Sequence, residues 1–316
     1  VRNRILSFIF RLLVSLIILV IVFNIVNIRE VASLLKKLNV YVLLVAFVLT
    51  LLNFIFAGIS FKVLLSPFGV KPSLFLMVKY LLYVWAVRNF LPSNIGDLSL
   101  VYFLHLEKLS STNGIVIFFL DKLSSLIVGI ILAVPSIYIF SIRFRLTAIL
   151  PILSITFLVA ILLLFFLRRY NLVEKCNFFN PIASKIKMFI TTLSFYLKRN
   201  ALILVLVLFL TFTRWVLSAL PVYYIFSYFG YTVSFMKVLS INALIVALSL
   251  LPITISGLGI REASAVFFYE KVGLPVDVVF TAFLLSLFIG YLFVCIGAVM
   301  FIFERRFTFL QKKALS

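Results

Sequence analysis

Long apolar runs alternate with short polar segments along the whole chain. The runs 5–28, 40–61, 114–140, 146–167, 201–229 and 276–303 each exceed 18 nearly uncharged residues. At about 1.5 Å of rise per residue, a helix of that length spans a hydrocarbon core about 30 Å thick. Two further apolar segments, 74–106 and 235–270, are broken near the middle. The breaks are Leu91-Pro-Ser-Asn-Ile-Gly-Asp-Leu98 and Leu251-Pro-Ile-Thr-Ile-Ser-Gly-Leu258. Their arms, 74–90 with 98–106 and 236–250 with 259–270, are mostly too short to cross with ease. Each pair is therefore expected to form a re-entrant hairpin with the Leu-Pro motif at its tip.

The two breaks belong to a longer repetition. Ser66-Pro-Phe-Gly69 matches Ser227-Tyr-Phe-Gly230 at an offset of 161, and Ser125-Leu-Ile-Val-Gly129 matches Ser286-Leu-Phe-Ile-Gly290 at the same offset. Thr50 falls on Thr211 and Asn53 on Arg214, while the Leu-Pro motifs are offset by 160. The first repeat, about 5–141, reads as a span, a polar elbow over 29–38, a span, a hairpin and a span. The second, about 146–303, reads as a span, a basic loop over 168–200, a span, a hairpin and a span. Each half crosses three times if the hairpin returns and five times if both arms cross. Either count is odd, so the halves take opposite orientations. The expected fold is an all-α polytopic membrane protein built as an inverted-topology repeat, each half three spans plus one broken re-entrant hairpin.

Composition agrees with lipid as the solvent. Of 316 residues 65% are apolar and 12% charged, and mean hydropathy is +1.29. The run 5–28 is too long for a signal-peptide core and no small-residue cleavage site follows it, so it reads as the first span. A net charge of +20 raises a nucleic-acid reading, which the placement of Lys and Arg in short loops at span ends rejects. With the N-terminus cytoplasmic, 17 basic residues face inwards and 7 outwards, which places both termini inside a cell membrane. Cys176, Cys295 and His105 form no metal spacing, and no metal or cofactor is expected.

The breaks have a physical logic. Pro92 and Pro252 end their arms by removing a donor and crowding the preceding turn. Gly96, Gly257 and Gly259 allow tight turning and close backbone approach. Ser93, Asn94 and Asp97 are candidates to cap the next helix. Paired interrupted segments at matched places point to a central site, and helix N-termini at their tips favour anions.

Ionisable residues in spans cost roughly 2.5–3.5 kcal/mol on insertion scales, so they face an interior, a partner or water. Arg214 lies near the middle of its span, with polar Asn53 at the repeat-equivalent position. Arg261 and Glu262 open the helix after the second break. An arginine there opposes the helix dipole and needs an anionic ligand, or a carboxylate such as Glu262 or Asp97, to explain it. Arg88, Asp97 and Asn94 complete the candidate substrate-binding set. Asp121 and Lys122 read as a packing pair or as snorkelling near a span end, and His105 as a packed or interfacial histidine.

The stretch from Leu251 to Pro275, LPITISGLGIREASAVFFYEKVGLP, resembles the lysylphosphatidylglycerol synthase transmembrane-region family, whose members are also called flippase-like domain proteins. Leu251, Pro252, Gly257, Leu258, Gly259, Arg261, Glu262, Gly273 and Pro275 fit its pattern, and Ser256 replaces a glycine. Pro92, Gly96 and Asp97 fit its earlier pattern, with Leu100 where arginine is usual. Asp121, Lys122 and Ser125 match a later one only loosely, and Ser286 stands at another usual arginine. The resemblance implies a membrane protein that moves or handles lipid-linked molecules. The family's aminoacyl-transferring enzymes carry a soluble catalytic domain, which this sequence is not expected to form.

The leading expectation is therefore a flippase or transporter rather than an enzyme. An anionic phospholipid or polyprenyl-phosphate-linked lipid would place its headgroup between the hairpins and leave its tails in lipid. The alternatives are a membrane enzyme using Asp97 or Glu262 as acid or base, and a partner of a lipid-modifying synthase.

Overall fold

The computed structural model describes residues 2–90, 93–144, 191–196, 200–249, 254 and 257–314, and no strand occurs among them. The expected span 146–167, Pro92, Pro252, Cys176 and most of the basic loop lie outside the described residues, as does the side chain of Asn94. The helices are α1 (Arg2–Ile25), α2 (Ile28–Lys37), α3 (Val40–Leu65), α4 (Leu74–Phe90), α5 (Ser99–Leu106), α6 (Ser111–Phe144), α7 (Ala201–Tyr228), α8 (Phe235–Ser249), α9 (Ile260–Lys271) and α10 (Val276–Ala314). Among these, α3, α6, α7 and α10 are long and apolar enough to cross a membrane, and α1 with α2 adds a fifth if the pair counts as one bent span. The chain is an all-α, multi-span membrane protein.

The polar elbow expected over 29–38 is instead a helix, bent 83° from α1. Local chemistry explains it. Asn27 accepts from the N–H groups of Arg29 and Glu30, while Glu30 in the first turn and Lys36 and Lys37 in the last complement the helix dipole. Val31 and Leu34, three residues apart, bury one face of α2.

Both broken segments fold back on themselves. Tyr80 on α4 stacks on Phe103 of α5 with centroids 5.2 Å apart, so residues about equally far from the break face each other. In the second segment the Tyr269 hydroxyl of α9 donates to the Val238 carbonyl of α8 at 3.1 Å. At 17 and 15 residues, α4 and α8 are about 25 and 22 Å long, shorter than the hydrocarbon core. A 3₁₀ turn over Ser93–Leu98 leads into α5, whose N-cap is the apolar Leu98, and Asp97, one of the expected caps, is engaged in ion pairs instead.

The same local contacts recur 161 residues apart. Gly69 and Gly230 both adopt left-handed backbone, at φ 71° and 84°, and donate to the carbonyls of Ser66 and Ser227. A Cβ on Gly96 would fall on the backbone of Arg88, and one on Gly257 on Ser249. In each hairpin the tip glycine thus lies against the residue eight positions earlier, holding the arms in contact. The packing of helices follows the same pairing: α3 lies along α7, α4 packs on α10, and α8 packs on α6.

Candidate functional site

A cavity of about 360 Å³ opens between these elements, lined from α3, α4, α6, α7, α9, α10 and both hairpin tips. Its polar wall holds Asn53, Arg88, Asp97, Asp121, Lys122, Arg214, Arg261 and Glu262. Residues spread over 210 positions of sequence therefore meet at one place. Six of the seven residues of the expected binding set are among them, and the side chain of the seventh, Asn94, lies outside the described residues. Apolar residues line the cavity as well, Phe54, Phe61, Trp85, Leu217 and Ile289 among them.

The charged groups are organised by partners. Arg214 Nη1 lies 2.8 Å from Asp121 Oδ1, and Asp121 is 3% exposed. The Asn53 amide donates to the Arg214 carbonyl at 2.7 Å, so the two repeat-equivalent positions touch directly. Asp97 receives Lys122 at 2.7 Å on one oxygen and faces Arg88 at 3.9 Å on the other. Arg88 also lies 5.1 Å from the centroid of the Trp85 ring.

Asp121 and Lys122 form ion pairs between packed segments, one of the two sequence readings, but the span-end placement is corrected. They sit ten and eleven residues beyond the start of α6, about 15 Å along its axis, and not at a span end. Neighbours in sequence, they serve different partners: Asp121 reaches α7, and Lys122 reaches the first hairpin tip. The loose Asp121, Lys122, Ser125 match was the one signal in the sequence that could have marked them.

The second tip is built differently. Gly259, at φ 88°, precedes α9, and its N–H donates to Glu262 Oε2 at 2.7 Å, the half of a capping box that a glycine N-cap allows. Glu262 is 5% exposed, and the bond explains an acid buried at this place. Arg261 lies 5.6 Å from the centroid of the Phe283 ring. No carboxylate among the described residues comes within 4.0 Å of it, and Asp97, one of its two expected partners, is held by Lys122. The ring nitrogen of His105 lies 3.0 Å from the Leu109 carbonyl, and the residue is exposed and does not line the cavity, so it is not a packed histidine.

This arrangement can hold an anionic group against arginine in a cavity that also offers apolar surface. No curated protein matches the chain. The family described as "Lysylphosphatidylglycerol synthase TM region" matches residues 8–298, nearly the full length and both hairpins. With that coverage, the chain belongs to the lysylphosphatidylglycerol synthase transmembrane-region family.

Proposed function

We propose that this protein moves an anionic lipid headgroup across the membrane through the central cavity. The observation that carries the reading is the convergence of charged groups from both sequence halves on one cavity that also offers apolar surface. The family description names a lipid, which supports a function in membrane-lipid handling. The cargo is a phospholipid or a polyprenyl-phosphate-linked lipid, with its headgroup against Arg261, Arg88 and Arg214 and its tails towards the apolar lining and the bilayer.

Alternating access follows from two inverted halves, 5–141 and 146–303. Support comes from the contacts that recur at an offset of 161 and from the paired packing of α4 on α10 and α8 on α6. Rocking of one half against the other about the α3–α7 contact exposes the cavity to each face in turn. The charge bias of the loops orients the chain with both termini cytoplasmic in the cell membrane.

The enzyme reading requires a carboxyl group at liberty to exchange protons with substrate. Asp97 and Asp121 are ion-paired and Glu262 caps α9, so the observations favour transport. The test is flipping of a fluorescent phosphodiester lipid in proteoliposomes, read as loss of protection from a membrane-impermeant quencher. Arg261→Gln is expected to slow flipping at least tenfold while Arg261→Lys retains part of it. Undiminished flipping by Arg261→Gln rejects the assignment.

A further inference from the structure

The packing of α4 on α10 and of α8 on α6 forms two seams with different contacts. On the first, Val84 of α4 and Val294 of α10 line the cavity. From there the seam runs to Glu304, where the membrane-crossing part of α10 ends, ten residues or about 15 Å on. A Cβ on Gly297 would lie 2.3 Å from the Leu82 carbonyl oxygen, so backbone meets backbone with no interlocking side chain. One turn further, Tyr83 meets Phe301 edge to face with ring centroids 5.2 Å apart. At the end of the seam Lys79 pairs with one Glu304 oxygen at 2.8 Å, and the Tyr83 hydroxyl donates to the other. The Lys79 ammonium also lies 5.9 Å from the centroid of the Tyr83 ring.

The second seam holds the residues 161 positions away and is apolar. Ser136 and Phe140 stand for Gly297 and Phe301, while Ser240, Ala243 and Leu244 stand for Lys79, Leu82 and Tyr83. All five are buried, and Phe140, Ala243 and Leu244 belong to one continuous apolar core. Arg143 stands for Glu304, but Ser240 offers it no opposite charge. An apolar seam gives up buried area when it parts. An ion pair and a hydroxyl bond at a half-exposed carboxylate such as Glu304 are exchanged for water or headgroups at small net cost. Resting on the reading of the cavity as a transport site between inverted halves, we propose that the α4–α10 seam is the gate that opens more readily, and that Lys79, Tyr83 and Glu304 latch it shut. The headgroup therefore reaches the cavity first from the face that carries the C-terminal end of α10, the cytoplasmic face by the charge bias of the loops. The first hairpin is fitted to move as a unit. Tyr80 stacks on Phe103 and donates to Glu107 at 2.7 Å, and Gly96 sits on the backbone of Arg88, so release of Glu304 frees α4 from α10 without parting the arms.

The experiment reads the gate by thiol accessibility in the full chain carrying Cys176→Ser and Cys295→Ser. A reporter, Ser286→Cys, lies on the cavity lining. It is labelled with a membrane-impermeant maleimide in sealed vesicles of each orientation, and Lys313→Cys in a parallel sample marks the face of the C-terminus. Glu304→Gln is expected to raise the labelling rate from the C-terminal face about tenfold, equivalent to about 1.4 kcal/mol. Tyr83→Phe, which loses one hydrogen bond, is expected to raise it about threefold. Neither raises it from the opposite face. The exchange Lys79→Glu with Glu304→Lys restores an ion pair and should return labelling to within about twofold of the unexchanged protein, which a role in packing alone would not do.

Unchanged labelling in Glu304→Gln, an equal rise from both faces, or no recovery in the exchanged pair overturns the proposal. If Glu304→Gln does not fold, Lys79→Gln carries the same expectation. Flipping in proteoliposomes, assayed on the same preparations, separates the latch from the transport reading. If Arg261→Gln slows flipping while the latch variants leave labelling unchanged, only the gate falls. If the latch variants open the cavity as expected but the protein flips no lipid, or flips it equally well with Arg261→Gln, the transport reading falls and the latch stands.

Discussion

The pair between Arg214 and Asp121 yields the sharpest quantitative expectation. From sequence, Arg214→Ala is expected to abolish transport without unfolding the protein. The structure changes that forecast, because Asp121 is 3% exposed and Arg214 is the ion partner that lies 2.8 Å from it. Removing the guanidinium leaves a buried carboxylate alone, which costs about 3–5 kcal/mol. Asp121→Asn leaves the arginine uncompensated and costs a similar amount, reduced because the Arg214 side chain is 22% exposed. The double variant Arg214→Gln with Asp121→Asn removes both charges and keeps two amides that can bond each other. Its cost should fall to about 1–2 kcal/mol, giving a coupling of at least about 2 kcal/mol in a double-mutant cycle. The Asn53 bond to the Arg214 carbonyl is backbone-directed and survives all three changes. Denaturant unfolding in a fixed detergent, followed by tryptophan fluorescence from Trp85 and Trp215, measures the stabilities. Flipping in proteoliposomes measures function on the same preparations. Additive costs in the cycle would refute the buried-pair account. A stable double variant that flips lipid at the unaltered rate would remove Arg214 from the headgroup site and leave it a packing role.

The hairpin glycines give further expectations. A Cβ on Gly96 would lie 2.3 Å from the Arg88 Cα, so Gly96→Ala must part the hairpin arms. It should cost about 1–3 kcal/mol or more by overpacking. At Gly69 nothing lies within 4 Å and only the φ of 71° resists a side chain, so Gly69→Ala should cost about 1–2 kcal/mol and spare flipping. Gly290 faces open space on the cavity wall, so Gly290→Leu should leave the unfolding midpoint within a few degrees and still block flipping. Gly129→Ala, 2.8 Å from the Trp215 ring, should instead lower stability by about 1–3 kcal/mol. Glu262→Gln keeps an acceptor for the Gly259 N–H, whereas Glu262→Ala loses it and should cost about 0.5–2 kcal/mol, measured by thermal unfolding.

Much of the fold was legible because the signals that set it are local. Span lengths follow from uninterrupted apolar runs, and the hairpin arms from apolar segments cut by proline and glycine. The expected arms 74–90 and 259–270 differ from α4 and α9 by at most one residue at either end. The elbow over 29–38 was misread for the opposite reason. Its polarity was counted, but Asn27, Glu30, Lys36 and Lys37 were not weighed as cap and dipole partners, although together they specify a helix. The repeat was found at the residue level and its register sharpened by packing. Gly96 and Gly257 keep the offset of 161 that the Leu-Pro motifs miss by one, so the shift is confined to the segment between each motif and its glycine.

The site was legible as an inventory and illegible as a circuit. Burial cost alone singles out Arg88, Asp97, Arg214, Arg261 and Glu262, since a charge inside an apolar helix needs a reason wherever the chain folds. Partner choice depends on contacts between residues 93 and 25 positions apart, and no local pattern encodes those distances. Yet the partners decide what each charge can do. Arg214 is the cation nearest the middle of a span, but Asp121 satisfies it in place. Asp97 lines the same cavity as Arg261, but Lys122 occupies it at 2.7 Å. Glu262, adjacent in sequence, turns its carboxylate to the Gly259 N–H. Arg261, one of several equivalents in the sequence, is the cavity cation that no described carboxylate approaches within 4.0 Å, although Glu262 lies beside it. Its place behind a hairpin tip, at a helix start whose dipole it opposes, is the kind of place an anionic group would stabilise.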